Sequence, residues 1–362
     1  MIKIFDGTAT DIDYTKSYGY GVLSDVLSCK ITEERNGAFE LDMTYPADGA
    51  HADRLEPDAI LFCKARPSDD VGNPFRIDSV SDVINGRRTV KAYHMFYDLN
   101  AAVMLETNRT GIAAAVNGIN NDRIGADPVR VWHNGIVDTT TPFVITEPRS
   151  LAQAVAGAKG SLLDVFGGEL GYEYDGTRKI VIATLYQKRG VLLPYAIAYG
   201  VNMTGFDQMA TIQDTYTDVY PIWKGNGTIV RLNAPIPTGA SGMHEKVLLL
   251  DLSGEIETEP TQADLQTAAQ QYITDHKLDA PKVSINVRFV GERRNAFGIS
   301  GREINLCDEL TVRFLRFGVE TTAKVVKAVY DEIKDRYDEL TIGTIEENAA
   351  DTLAALERSA GM

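Results

Sequence analysis

Five histidines, His51, His94, His133, His244 and His276, are the residues most able to bind a metal or move a proton at neutral pH. No two of them stand four apart, so no helical face carries the pair of ligands that a His-Glu-x-x-His zinc hydrolase needs. His244-Glu245 lacks its second histidine. The chain has no Gly-x-Ser-x-Gly elbow, and Cys29, Cys63 and Cys307 are too widely spaced for a metal site or a disulfide framework. They read as small core residues in a reducing compartment. Gly157-Ala-Lys-Gly-Ser161 has Walker-like letters in the wrong order and Gly225-Asn-Gly227 lacks a third glycine, so both read as turns.

Carboxylate pairs are the remaining source of chemistry, because glycoside hydrolysis needs only two acids. Glu255, Glu257 and Glu259 alternate, as do Asp11 and Asp13, and Asp69 adjoins Asp70. At a spacing of two along a strand such acids share one face, but no apolar or aromatic frame surrounds them, which favours a solvated loop or edge. Tyr14, Tyr18 and Tyr20 could stack on a sugar ring; packing is the favoured reading. The sequence therefore assigns no catalytic, cofactor-binding or metal-ligating residue and no cofactor, and the expectation is that the chain is not an enzyme.

The elements around these residues are mainly strands. Leu27, Cys29 and Ile31 alternate with polar residues before Asn36-Gly37, and Phe39, Leu41 and Met43 alternate after it. This predicts a β-hairpin with a type I′ turn and those six residues facing inward. Lys30, Thr32, Glu40 and Asp42 then face outward. Asn85-Gly86 joins a second hairpin, 76–84 with 87–94, and Asp175-Gly176 a third, 171–174 with 179–186. Ala59 to Cys63 forms a short buried strand.

Helical spacing appears in a few places. Thr110 is the expected N-cap of a helix through Ile112, Val116 and Ile119, Ser150 caps one through Ala158, and Ser161 caps one that Gly167-Gly168 ends. Residues 124–147 return to extended structure. Thr261 and Asp264 stand as a reciprocal cap for a helix over 261–277 that Pro281 stops. Val247 to Leu252 reads as a buried strand, and strands follow at 283–290, 310–314, 321–329 and 339–342. Thr344 to Glu347 is a capping box for a last helix.

The fold class is thus α+β and β-rich: two small antiparallel, barrel-like β domains with an α+β insertion and a C-terminal helix. The domains are expected at 1–100 (first β domain), 101–190 (insertion), 191–343 (second β domain, carrying the helix at 261–277) and 344–362 (C-terminal helix). A chain of 362 residues exceeds the usual size of one core. Hydrophobic residues make up 44% and charged residues 24%, as in ordinary folded proteins rather than disordered ones. Lys and Arg number 36 against 51 Asp and Glu, a net charge of -15 that argues against clamping a phosphate backbone. The N-terminus starts a strand, and no run approaches the ~20 apolar residues that span a bilayer. A soluble chain made in the cytoplasm is expected.

Five segments in order resemble a known family. They are Asn36-Gly37 leading to Leu41-Asp-Met-Thr-Tyr-Pro46; Asn73-Pro-Phe-Arg-Ile77; Val90-Lys-Ala-Tyr-His94 through Tyr97-Asp-Leu-Asn100; Thr217-Asp-Val-Tyr-Pro221; and Asp331 to Gly343. Together they resemble the N-terminal hub region of phage tail proteins, the prophage endopeptidase tail or tail-associated lysin family, which is similar to the contractile-phage baseplate hub. The resemblance implies a structural protein of the virion tail tip, in a phage, prophage or tail-like particle. Three copies would form a ring whose paired β domains continue the tail tube toward the host cell.

Its implied partners are further copies of itself, a distal tail protein and a tape-measure protein, with DNA only in passage through the lumen and the bacterial cell surface nearby. No membrane insertion is implied. In the family the lytic activity, where present, belongs to a segment downstream of the hub, so none is expected of these residues. The rival readings are a peptidoglycan hydrolase component and a host-surface carbohydrate-binding module using Tyr14, Tyr18 and Tyr20.

Overall fold

The computed structural model describes residues 1–9, 11–125, 128–198, 205–211, 215–225, 227–240, 243–256, 258–276, 278–279, 282–288, 304–314 and 319–343. The C-terminal helix expected at 344–362 lies outside them. The chain divides into two compact units, Met1–Phe206 with Asn286–Met362, and Asp207–Ile285. Among the described residues no helix is long and apolar enough to cross a membrane.

The larger unit is organised by one antiparallel sheet whose strands run, side by side, Arg336–Gly343, Val319–Asp331, Ser28–Glu34, Phe39–Pro46, Arg87–His94, Asn73–Val80, Ile60–Cys63, Lys3–Phe5 and Gly21–Val22. The opening hairpin forms as its alternation predicts, with Cys29, Ile31, Phe39, Leu41 and Met43 buried. Leu27 does not follow. It precedes the paired strand, which begins at Ser28, and is 47% exposed.

The turns follow their sequences in part. Asn85 and Gly86 hold φ of 52° and 72°, the two positive angles a type I′ turn requires. At Asn36-Gly37 only Asn36 is left-handed, with φ of 56°. The turn there is wider, closed by Glu34 N–H donating to Ala38 O at 2.7 Å.

The insertion contributes the hairpin of Glu169–Asp175 with Ile180–Tyr186, on which Val129–Asn134 lies parallel. Ser150 and Ser161 cap the short helices Leu151–Val155 and Leu162–Phe166 by accepting from the Gln153 and Asp164 amides. Thr110 does not cap the helix Ile112–Asn121. It ends a strand paired with Pro142, and Gly111 takes the cap position at φ 82°. A Cβ there would come 2.8 Å from the Thr139 Cα, so the close approach of that loop excludes a threonine.

Aromatic packing joins insertion and sheet into one core. Tyr14 meets Phe5 edge-on at 4.9 Å and Tyr174 at 5.1 Å; Phe39 stacks on His94 at 4.3 Å, and Phe96 meets Tyr172 at 4.5 Å. Rings at these distances add about 0.5–1.5 kcal/mol per pair beyond their buried area. The last strands enter the same unit, because Val319–Asp331 pairs with Ser28–Glu34 in the register Val329 to Thr32. The sheet thus draws on both the segment expected as the first β domain and the one expected as the second.

In the smaller unit the strand Asp218–Gly225 pairs with Thr228–Arg231, Ile236–Pro237 and Val247–Asp251. The helix Gln262–His276 covers one face, burying Leu265, Ala269 and Ile273 beside Val219, Trp223 and Leu250. Thr261 and Asp264 cap it reciprocally as expected: the Thr261 hydroxyl accepts from the Asp264 amide and donates to its carboxylate at 2.7 Å. The strand at 247 is buried on one side only. Val247 and Leu249 are exposed on the face away from the helix.

Candidate functional site

Two regions of the larger unit concentrate polar groups. The first is a charged cluster around Glu33. Alternation puts Glu33 on the same face as Cys29 and Ile31, so an acid stands where the strand pattern calls for an apolar residue. It is 2% exposed. Its carboxylate accepts two hydrogen bonds from Arg66, Nε at 2.6 Å and the second terminal nitrogen at 2.8 Å, and pairs with Arg189 at 2.9 Å. Burial pushes this carboxyl up, but the guanidiniums of Arg189 and Arg66 and their hydrogen bonds outweigh it and hold the pKa at about 2.

Glu169, equally buried, extends the cluster. It accepts from Arg35 Nε at 3.0 Å, from the Arg189 amide at 2.7 Å and from Lys324. Four stretches of the chain are tied together in this way: the opening hairpin, the loop after Cys63, the insertion hairpin and the closing strands. Asn36 adds a further tie between hairpin and insertion, its carboxamide donating to Gly168 O at 3.0 Å and accepting from Leu170 N–H at 2.8 Å.

An open cleft of about 420 Å³ lies beside the cluster, lined by Arg66, Asp69, Asn73, Glu173, Tyr186 and Arg189 among others. Asp69 is the one carboxyl here whose pKa is lifted, by burial that exceeds the pull of Arg66. Its geometry is that of a loop clamp: one oxygen accepts from the Ala65 and Arg66 amides and from the Asn73 carboxamide at 3.0–3.1 Å. His94 sits behind it, fully buried, its Nδ1 accepting from the Phe96 amide at 3.2 Å. Burial and then Arg66 push its pKa down to about 3, which keeps it neutral.

The second region is the outward face of the sheet. Lys30, Thr32, Glu40 and Asp42 point away from the core as the alternation requires. Across the strands Asp331, Lys30, Asp42 and Lys91 are successive partners, a row of alternating charge. Lys30 bonds Asp331 at 2.9 Å and also Asp338, and Lys91 bonds Glu40 at 3.0 Å. Ser28, Asp42, Thr44, Ser79, Thr89 and Lys91 line a shallow groove of about 370 Å³ on this face.

The residues singled out for chemistry in the sequence are not brought together. Tyr14 is a core residue whose hydroxyl donates to Ala9 O at 2.7 Å; Tyr20 is half-buried and donates to Asp6 at 2.7 Å; only Tyr18 stands exposed. They form no sugar platform. Asp11 pairs with Lys179, Asp13 closes a local turn on Thr15 and pairs with Lys16, Asp70 is exposed beside half-buried Asp69, and Glu255 and Glu259 are exposed. Glu257 lies outside the described residues. His276 stacks on Tyr272 at 3.8 Å, four residues earlier on its own helix. Among the described residues no three metal-ligating side chains cluster. The arginines and glutamates of the buried cluster were not legible as a set, though the inward positions of Glu33 and His94 on alternating strands were a signal for two of its members.

Comparison with known proteins follows the same lines. No curated protein matches the chain in sequence. Residues 195–353 match the family model described as prophage endopeptidase tail. The fold is similar to that of prophage tail protein gp18 from Listeria monocytogenes EGD-e, with 11% identity, TM-score 0.57, and coverage of 100% of this chain and 99% of that one. It is also similar to the 43 kDa tail protein of prophage MuSo2 from Shewanella oneidensis, with 11% identity, TM-score 0.58, and coverage of 88% and 93%. A tail protein from Neisseria meningitidis MC58 matches at 11% identity and TM-score 0.53, covering 91% and 95%. Residues 195–353 are thus similar to the prophage endopeptidase tail family, and the fold along the chain is that of the prophage tail proteins.

Proposed function

We propose that the chain is a structural hub of a phage or prophage tail tip, assembling as a homotrimeric ring that continues the tail tube and works without catalysis. The observation that carries this reading is the correspondence of fold along whole chains with prophage tail proteins. The outward face of the sheet suits the role: it is polar and alternates in charge, so a neighbouring copy or a lumen can meet it without burying unpaired charge. A net charge of -15 also suits a conduit that must not retain DNA. Distal tail and tape-measure proteins are the partners this role requires.

The test is the oligomeric state of the full chain, by light scattering and electron microscopy, alone and with a distal tail protein. A ring of three copies is expected in at least the mixture. Monomer in both conditions overturns the ring. The hydrolase reading is kept in view by one observation, the raised carboxyl of Asp69 in an open cleft near Glu173. Turnover of purified peptidoglycan that disappears in Asp69→Asn would replace the structural reading with an enzymatic one.

A further inference from the structure

We propose that Asn85 is a site of spontaneous deamidation to aspartate and isoaspartate, and that the fold protects Asn36 from the same reaction. Both asparagines precede glycine, the neighbour that least obstructs attack on the carboxamide. In the reaction the backbone nitrogen after the asparagine gives up its proton to solvent base and bonds to Cγ. The carboxamide C–N bond breaks and ammonia leaves, taking its proton from water. Water then opens the resulting succinimide at either carbonyl. One water enters and one ammonia departs, and no oxidant or cofactor takes part.

Its two requirements are a free carboxamide and a free nucleophile, and the two sites differ in both. Asn85 is exposed at the tip of a two-residue turn, and among the described residues neither its carboxamide nor the Gly86 N–H has a hydrogen-bond partner. A Cβ on Gly86 would meet nothing within 4 Å, so the tip has room to rearrange. At the other site the Asn36 carboxamide is held at both ends, by Gly168 O and the Leu170 amide, and the attacking Gly37 N–H is engaged with Glu34 O at 3.2 Å.

The product would matter where it forms. Isoaspartate adds a backbone carbon to the turn that sets the register of Asn73–Val80 against Arg87–His94, and either product adds a negative charge next to Arg87 and Arg88.

The full-length folded protein, incubated at mildly alkaline pH, digested and read by mass spectrometry, tests the inference. The Asn85 peptide should gain the mass of an amide-to-acid exchange at a rate about tenfold or more above the Asn36 peptide, the margin expected when one site reacts only after local opening. In urea the two rates should converge. Asn85→Gln should abolish both the gain in its own peptide and the isoaspartate that methyltransferase labelling detects in that peptide. An unmodified Asn85, or equal rates at both sites in the folded chain, overturns the inference.

Discussion

Glu33→Gln isolates the charge of the buried cluster while keeping the side chain's shape. The substitution leaves the guanidiniums of Arg66 and Arg189, whose side chains are 12% and 16% exposed, facing an amide instead of an anion. Removing one partner of a buried pair costs about 3–5 kcal/mol. Linkage supplies a second figure: a carboxyl held at about 2 against an ordinary 4.5 corresponds to roughly 3 kcal/mol. The two agree. For a unit of this size that is a drop in Tm of roughly 5–8 °C. Trp132 lies in the larger unit and Trp223 in the smaller, so a Trp223→Phe background lets fluorescence follow the larger unit alone. The sign with pH follows from the depressed pKa. The unfolded chain takes up this proton first, so the contribution is complete above about 4.5 and is lost as pH falls through about 2. Parent and variant should differ most at neutral pH and converge toward pH 2. A loss under ~1 kcal/mol at pH 7, the value of a surface ion pair, or parallel curves through the acid range would refute the reasoning.

Three further outcomes follow from the same structure. His94, held down at about 3 mainly by burial, contributes stability that is whole above its ordinary 6.5 and declines as pH falls toward 3; His94→Gln should flatten the stability profile between pH 6.5 and 4.5, above the Glu33 window, and an unchanged slope there would count against a neutral buried imidazole. Thr261→Ala removes the hydroxyl that accepts from the Asp264 amide, while the backbone N–H at 261 still donates to the Asp264 carboxylate, and should cost the smaller unit about 1 kcal/mol, read by Trp223 fluorescence, with no change in the Trp132 transition. Cys29, Cys63 and Cys307 are all buried, and burial raises the Cys307 thiol to about 12, so a thiol reagent should label none of them in the native protein and all three after unfolding. Labelling of the native chain at a stoichiometric rate would contradict the packing.

Local chemistry was legible where neighbours in sequence decide the outcome. The period of two at Cys29, Ile31, Phe39, Leu41 and Met43, the Asn85-Gly86 turn and the Thr261–Asp264 cap all fold as their residues predict. Legibility failed where distant chain intervenes. Thr110 has the right chemistry for a cap, yet the backbone of Thr139 crowds the position and a glycine takes it. Val247 and Leu249 read as buried because an apolar run does not say which of its faces is covered. The Glu33 cluster joins residues 33, 66, 169, 189 and 324, and no spacing rule links them. Strand pairing between residues about 300 apart, as between Ser28–Glu34 and Val319–Asp331, likewise leaves no trace in either stretch alone.

That pairing also sets a clock on the ribosome. Lys30 meets Asp331 across 301 positions, so the Ser28–Glu34 strand emerges long before its neighbour on that side exists. At ~5–20 residues per second the wait is roughly 15–60 s, during which one edge of the opening hairpin is without its native partner. Translation through Asp331 is therefore a precondition for closing the larger unit. The smaller unit, whose strands and helix come from 207–285, has all its sequence available earlier and is free to fold first. Slowing synthesis late in the message would prolong the exposed-edge state, and premature termination before residue 319 would leave it permanent.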